Sequence, residues 1–377
     1  MVTETKKAHE PKPTYTIKQI FKDHWHLFLI MYASLTIRKV VHDNVAKIMK
    51  CQTAELGFST FICGNCGATK KVFHTCKSRF CNSCGIKYAK ERATAISAKC
   101  IECKHRHLIF TIPEELRKIF RKDRALLDIL FSAASQTIIT WFHDINKSQN
   151  YKPGVVCVLH TFGRDLKWNP HIHALCTEGA MGNIDIFRDV RHISYTAMRK
   201  RFQAILLKML EDKLGEKNFR ALKNKIYAQT QNGFYVYAKP SKGSNIKAGI
   251  KYVVRYTGRP VMAQSRIIKY DGKNVTFYYE RHEDNQRVEE TITAFEFIKR
   301  LIIHIPDEQF KMIRYYGIYS KEHKFHNKAK MMFNKKQIKA QRMNNRWQLS
   351  IIADFKRNPL NCICCGGKMS ILNHHFP

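Results

Sequence analysis

Two pairs of side chains in this sequence have the types and spacing for phosphoryl chemistry. His171 and His173 are separated by one residue inside the β-rich run HIHALC, and in a strand that period sends both imidazoles to one face. Two neutral imidazoles side by side can share one divalent cation, although a lone H-x-H also arises by chance in a chain with 18 histidines. Tyr252 and Tyr256 stand four residues apart, which on a helix puts both phenols on one face, a turn apart. The same spacing also serves amphipathic packing. Given a metal and a basic surface, the phenols suit one reaction. A phenolate attacks a DNA phosphodiester while the cation polarises the non-bridging oxygens, and the phosphotyrosyl bond conserves the energy of the broken linkage. Two phenols on one face permit two successive strand transfers. Lys251, Arg255 and Arg259 beside them are candidate DNA contacts.

The cysteines carry a second chemistry. Cys63-x-x-Cys66 and Cys81-x-x-Cys84 are separated by 14 residues, close to the spacing of a structural four-cysteine zinc site, in which two short turns each aim two thiolates at one tetrahedral ion. His74 and Cys76 between the pairs could replace one ligand or serve a second ion. The same holds for Cys100, Cys103, His105 and His107 downstream, whose other reading is packing at a helix end and a strand. Zinc would hold a module too poor in apolar residues to fold alone, and Lys70, Lys71, Lys77 and Arg79 suggest a DNA-facing surface. Near the C-terminus Cys362-x-x-Cys365 repeats half a knuckle, with His374 and His375 as its nearby partners. Eight of 13 cysteines in such pairs speak for metal thiolates in a reduced compartment.

Composition sets the partner. The chain has 377 residues and a formal charge of +36 from 66 Lys+Arg against 30 Asp+Glu, which repels itself in the compact state and fits phosphate contacts with counterion release. A hydrophobic fraction of 44% with 17 Gly and 10 Pro excludes a disordered or collagen-like chain. The longest apolar stretch, His26–Leu35, is about half a bilayer span, and the Lys-rich start leads into no signal core, so no membrane is expected and the cytoplasm fits. The Walker-type phosphate loop is missing from the sequence, consistent with chemistry that needs no ATP.

The elements that must position these groups follow from periodicity. Residues 1–13 form a polar tail, and two amphipathic helices are expected between Tyr15 and Met49. A helix is expected from Ile86 to about Lys99, and a buried strand at His107–Ile112. A long helix over Arg124–Ile145 precedes two strands, Val155–Thr161 and His171–Cys176. Further expectations are a helix at Tyr195–Leu214, a strand at Phe234–Ala238, and the tyrosine helix ending at Gly258 before Pro260. Three short strands lie between Arg266 and Thr293. Ser320–Trp347 carries nine Lys/Arg against Glu322 alone, either as a solvated helix face or as a DNA-backbone contact.

At this point a family resemblance is visible. HTFGRDLKWNPHIHALCTEG (His160–Gly179) and KYVVRYTGRPVMAQSRI (Lys251–Ile267) resemble the signature blocks of the rolling-circle transposases of bacterial insertion sequences, the HUH nucleases with two tyrosines. CGNCG…HTCKSRFCNSCG (Cys63–Gly85) is similar to that family's zinc-binding domain, and CICCGGKM (Cys362–Met369) to its terminal Cys motif. The four blocks stand in the family's order over nearly the whole chain. The resemblance implies an α+β fold: an HUH-type antiparallel sheet flanked by helices, with an N-terminal helical and zinc-knuckle domain. It implies Tyr252 and Tyr256 as nucleophiles, and His171 and His173 as ligands of Mg²⁺ or Mn²⁺. A third ligand is required, for which His160 is the candidate. Cys63, Cys66, Cys81 and Cys84 are expected to hold structural zinc, with Cys76, His74, Cys362 and Cys365 as further candidates.

The expected partition is a tail at 1–13, a helical and zinc-binding DNA-binding domain at 14–104, a nuclease domain at 105–305, and a basic helical region with the Cys motif at 306–377. The expected partners are single-stranded or hairpin element ends and target DNA. A plasmid or phage replication initiator would use the same chemistry on a different DNA site. A non-catalytic zinc-dependent DNA-binding regulator would explain the charge and the cysteines while leaving the tyrosines without a role.

Overall fold

A computed structural model describes residues 15–183, 186–190, 194–239, 261–281, 284–355 and 358–376. The chain opens with helices α1 (Ile17–Met31) and α2 (Lys39–Met49), the two amphipathic helices expected. Thr16 caps α1 by accepting a hydrogen bond from the Gln19 amide at 3.0 Å. Strands β1 (Phe58–Cys63) and β2 (Thr69–Phe73) form a hairpin that the sequence reading did not anticipate, and α3 (Asn82–Ser97) starts at Cys81 rather than at Ile86. Next come β3 (His105–Thr111), α4 (Glu114–Lys122), α5 (Leu127–Ile145), β4 (Lys152–Phe162), β5 (Trp168–Met181) and the short β6 (Phe187–Asp189). Helices α6 (Tyr195–Leu214) and α7 (Glu216–Gln229) lead to β7 (Val236–Lys239). Beyond the gap in the description lie β8 (Ile267–Tyr270), β9 (Asn274–Glu280), β10 (Arg287–Thr293) and α8 (Ala294–Ile302). The chain ends with β11 (Ile313–Gly317), α9 (His326–Met331), α10 (Lys335–Asn344), α11 (Trp347–Phe355) and β12 (Met369–His375).

The six-stranded sheet positions the histidines. Its order is β11-β4-β5-β3-β7, with β6 paired to β5, and every pairing is antiparallel. Directly opposed residues share a face, so register assigns the faces. One face carries Val155, Cys157, Leu159, Ile172, Ala174, Cys176, Leu108, Phe110, Val236 and Ala238, all in the largest core with Phe131, Ile138, Phe142, Phe202 and Leu206 from α5 and α6. The other face carries His160, His171, His173 and His107. The fold is therefore α+β, with helices packed on one side of an antiparallel sheet.

The N-terminal helices α1 and α2 share a second core with β8, β9 and α8. Arg38 and Arg124 both pair with Asp307 and donate to the carbonyls of Ile305 and Ile303, tying that core to the start of α5. Two pieces of the C-terminal region lie in other units: β11 edges the six-stranded sheet, and β12 pairs with β1 in the order β12-β1-β2. Among the described residues, Arg124–Ile145 is long and apolar enough to cross a membrane. The sequence pattern gives this long helix but no unbroken apolar stretch of bilayer length, since Ser132, Ser135, Gln136, Thr137 and Thr140 interrupt it. More than half of it is buried within the protein. Thr137 returns its hydroxyl to the Ala133 carbonyl at 2.7 Å, as expected of a core helix.

His304, 1% exposed just after α8, fixes the turn between β4 and β5. Its Nε2–H donates to the Leu166 carbonyl at 2.9 Å, leaving Nδ1 to accept from the Thr161 hydroxyl at 3.1 Å. Trp168 stacks on the ring. Burial pushes this imidazole down to about 3. Its folded value lies below the unfolded one, so the unfolded chain takes up the proton first as pH falls. The stability it supports is complete above about pH 6.5 and is lost progressively as pH falls from there toward about 3. We expect wild type to lose about 1.4 kcal/mol more unfolding free energy per pH unit below pH 6.5 than His304→Gln, measured by urea denaturation at pH 7.5, 6 and 5.

Candidate metal centres

His160, His171 and His173 converge on the sheet face opposite the main core, each offering one ring nitrogen, all within 4.8 Å of one another. Strand pairing produces the cluster. His160 on β4 is directly opposite His171 on β5, and His173 follows two residues later on the same face. A β-bulge between His160 and Phe162 ends the regular ladder at this point. His171 Nδ1 lies 2.7 Å from the Asn169 carbonyl, which requires an N–H there and leaves the lone pair on Nε2. His171 Nε2 lies 3.1 Å from His173 Nε2. His173 Nδ1 in turn lies 2.8 Å from His107 Nε2 on β3. With metal–nitrogen bonds of about 2.1 Å, two adjacent ligands at right angles stand about 3.0 Å apart, so this spacing fits two imidazoles on one cation.

The protonation states suit that role. Burial, reinforced by the neighbouring His160, His171 and His107, holds His173 well below the usual imidazole value, so it is neutral at physiological pH. His107, considered from sequence only as a zinc ligand or packing residue, instead touches the cluster through His173. Its signal was available in the pairing of β3 with β5, but no single-sequence pattern reveals which strands are neighbours. The phenols Tyr252 and Tyr256, together with Lys251, Arg255 and Arg259, lie outside the described residues.

The cysteines are arranged differently from the expectation. Cys63 and Cys66 do not share a site with Cys81 and Cys84. Two clusters exist instead: Cys51, Cys76, Cys81 and Cys84 form one, and Cys63, Cys66, Cys362 and Cys365 the other, each with its sulfurs within 4.8 Å of one another. The physical reason is the β1–β2 hairpin: it directs the first knuckle toward the C-terminal strand, while Cys81 and Cys84 sit at the start of α3 facing the end of α2. In the first cluster the Sγ···Sγ distances are 3.6 Å for Cys51–Cys84, 3.6 Å for Cys76–Cys84 and 3.8 Å for Cys51–Cys81. Tetrahedral thiolates at about 2.3 Å from zinc stand about 3.8 Å apart. Hydrogen bonds from Cys76 and Cys81 bring the Cys84 thiol down to about 4. All thirteen cysteines are free, so the donor sets fit structural zinc. Cys51 escaped the sequence reading because it stands alone at the end of a helix, outside any C-x-x-C.

Several expected ligands do other work. His74 Nε2 and His374 Nδ1 both contact the Ser59 hydroxyl, at 3.0 and 2.8 Å, and His375 stacks on Phe58. Cys100 and Cys103 are packing residues of a third core, and burial lifts the Cys100 thiol to about 12. His105 is buried between the Cys103 carbonyl and the Tyr319 hydroxyl, at 2.9 and 2.7 Å. Lys77 is exposed, whereas Arg79 is half-buried with its guanidinium over Phe80. Phe80, Cys81 and Cys84 share a core with Leu166 of the β4–β5 turn and with Val261 and Met262. Asn82 donates to the Met262 carbonyl at 3.0 Å. The first cysteine cluster thus braces both the turn between the histidine strands and the chain that follows Pro260.

Residues 154–329 match the family model described as "Putative transposase", and residues 20–112 match the one described as "Transposase zinc-binding domain". The chain is 29% identical over 298 residues to the transposase for insertion sequence element IS801 of Pseudomonas savastanoi pv. phaseolicola, covering 74% of this chain and 70% of that one. It is 28% identical over 322 residues to "Putative transposase y4qJ" of Sinorhizobium fredii, covering 80% and 79%. No solved structure matches.

Proposed function

We propose that this chain belongs to the family of insertion-sequence transposases that joins this zinc-binding domain to this transposase domain, and that it cuts and rejoins single-stranded DNA by a rolling-circle route through a 5′-phosphotyrosine. The observation that carries the proposal is the approach of His160, His171 and His173 on one sheet face. In this reading the three imidazoles would hold Mg²⁺ or Mn²⁺, which when bound would supply positive charge to the scissile phosphate. Asn169 and His107 hold the two rings of β5 in the tautomers that present Nε2. Tyr252 or Tyr256, as phenolate, forms the new phosphorus–oxygen bond. The bond from phosphorus to the 3′-oxygen breaks, and that oxygen takes a proton. Attack of a free 3′-hydroxyl on the phosphotyrosine reverses the step and releases the phenol. Lys251, Arg255 and Arg259 would hold the strand beside it, and Cys51, Cys76, Cys81 and Cys84 would keep one structural zinc. The protein would act in the cytoplasm on nucleoid DNA, at element ends and at a target.

Single-stranded substrate is favoured by the edge strand β7. Tyr237 pairs with Ile109, which pairs with His173, so its ring shares the histidine face. The Tyr235 carbonyl accepts from the Thr111 amide opposite His171, at 3.0 Å. Tyr235 and Tyr237 are 53% and 39% exposed, their rings nearly parallel with centroids 6.3 Å apart. Arg199 lies over Tyr235 at 5.3 Å. Exposed stacked phenols beside a cation suit unpaired bases.

Two outcomes are expected. Incubated with Mn²⁺ and a single-stranded element end, the protein should form a covalent DNA adduct on denaturing gels, absent in the Tyr252→Phe/Tyr256→Phe variant. An adduct that persists there rules out these nucleophiles. Replacing Tyr235 and Tyr237 by alanine should weaken single-strand binding by about 1–3 kcal/mol per base stacked, measured by fluorescence anisotropy, and leave duplex binding unchanged. Equal losses on both substrates would remove the stacking role.

A further inference from the structure

The second cysteine cluster lies partly outside the zinc-binding match, because two of its members come from the far end of the chain. Its two halves are built alike. In Cys63–Gly67 the Gly67 amide donates to the Cys63 carbonyl at 3.0 Å, and the Cys63 amide to the Ala68 carbonyl at 2.9 Å. In Cys362–Gly366 the Gly366 amide donates to the Cys362 carbonyl at 3.0 Å, and the Cys362 amide to the Gly367 carbonyl at 2.8 Å. Gly67 and Gly366 take φ of +69° and +73°, the left-handed turn that closes each knuckle. A Cβ on Gly367 would meet the Asn65 side chain at 2.7 Å, so one knuckle presses against the other.

The sulfur spacing discriminates between the bonds such a cluster could make. Cys63 Sγ is 3.5 Å from Cys365 Sγ, and Cys66 Sγ is 3.7 Å from Cys362 Sγ. A disulfide needs about 2.05 Å, whereas two edges of a zinc tetrathiolate are about 3.8 Å. Packing is too thin to explain the meeting. The apolar cluster here consists of buried Phe61, Cys63, Cys362 and Met369, with Ala68, Val72 and Leu360 partly covered. β12 is an edge strand whose residues Ile371 and Leu372 are 54% and 56% exposed. A strand so poorly buried, closing a loop of 296 residues between Cys66 and Cys362, needs a further bond to remain in place.

We propose that Cys63, Cys66, Cys362 and Cys365 bind a second structural zinc ion, which completes a split zinc ribbon and clasps the C-terminal strand onto the N-terminal hairpin. This ion is separate from the one assigned to Cys51, Cys76, Cys81 and Cys84. The clasp makes the basic stretch Lys321–Arg346 part of a closed loop held at both ends, by β11 in the main sheet and by β12 in the ribbon. Cys364 lies between two ligands yet stays outside the cluster and exposed, which provides an internal control.

The test uses the full-length protein purified without chelator. Elemental analysis should find two zinc ions per chain in wild type, one in Cys362→Ser/Cys365→Ser and one in Cys51→Ser. Because a variant can fail to fold, thiol alkylation of wild type read by mass spectrometry gives the second arm. Cys66 and Cys365, although exposed, should resist iodoacetamide until a chelator is added, while Cys364 reacts at once. Cys66 and Cys365 reacting as fast as Cys364 in zinc-loaded protein, or two zinc ions retained in Cys362→Ser/Cys365→Ser, would overturn the clasp. Neither arm depends on nuclease activity, so the result stands apart from the reading of the histidine site.

Discussion

The close approach of two ring nitrogens on β5 is the constraint around which the rest of this structure is arranged. The Nε2 atoms of His171 and His173 face each other at 3.1 Å, with His160 completing the group from the neighbouring strand. The hydrogen bond from His171 Nδ1 to a carbonyl leaves its Nε2 as an acceptor. Burial and three neighbouring imidazoles keep His173 neutral. In the proposed reading His173 carries its proton on Nδ1, toward His107, and a shared cation would engage the Nε2 atoms of both rings. Antiparallel pairing supplies the geometry: β4, β5 and β3 place four histidines on one face, while α5 and α6 seal the other.

The first cysteine cluster packs against that site's turn from a distance. Phe80, Cys81 and Cys84 pack against Leu166, Val261 and Met262. A thiolate-held module therefore supports both the turn between the histidine strands and the chain leaving the tyrosine segment. His304 pins the same turn from the other side through Leu166 and Thr161. Loss of metal from the first cluster would loosen the turn between the histidine strands without removing any of the histidines.

Much of the fold was legible because periodicity reports burial. The helices α1, α2, α5 and α6 and the strands β3, β4, β5, β8 and β9 follow from apolar spacing, since each buries apolar residues in a large core, whereas β10, with no buried residue, follows from the turn signals before it. The strands β1, β2 and β12 were not legible. Their small ribbon has almost no apolar face, so the alternation that marks a strand is missing. The histidine pair of β5 was readable from its spacing of two. His107 was not, because its role depends on which strands are neighbours. The grouping of Cys63, Cys66, Cys81 and Cys84 failed for the same reason. Sequence spacing describes local knuckles, whereas the partner of a knuckle is set by tertiary contact, here across 296 residues.

The most direct test of the central claim is a crystal soaked in Mn²⁺ and measured at the manganese absorption edge. The account predicts one anomalous peak within bonding distance of a ring nitrogen of each of His160, His171 and His173, lost when His173 is replaced by glutamine. A peak elsewhere, or none on the histidine face at saturating Mn²⁺, would contradict it.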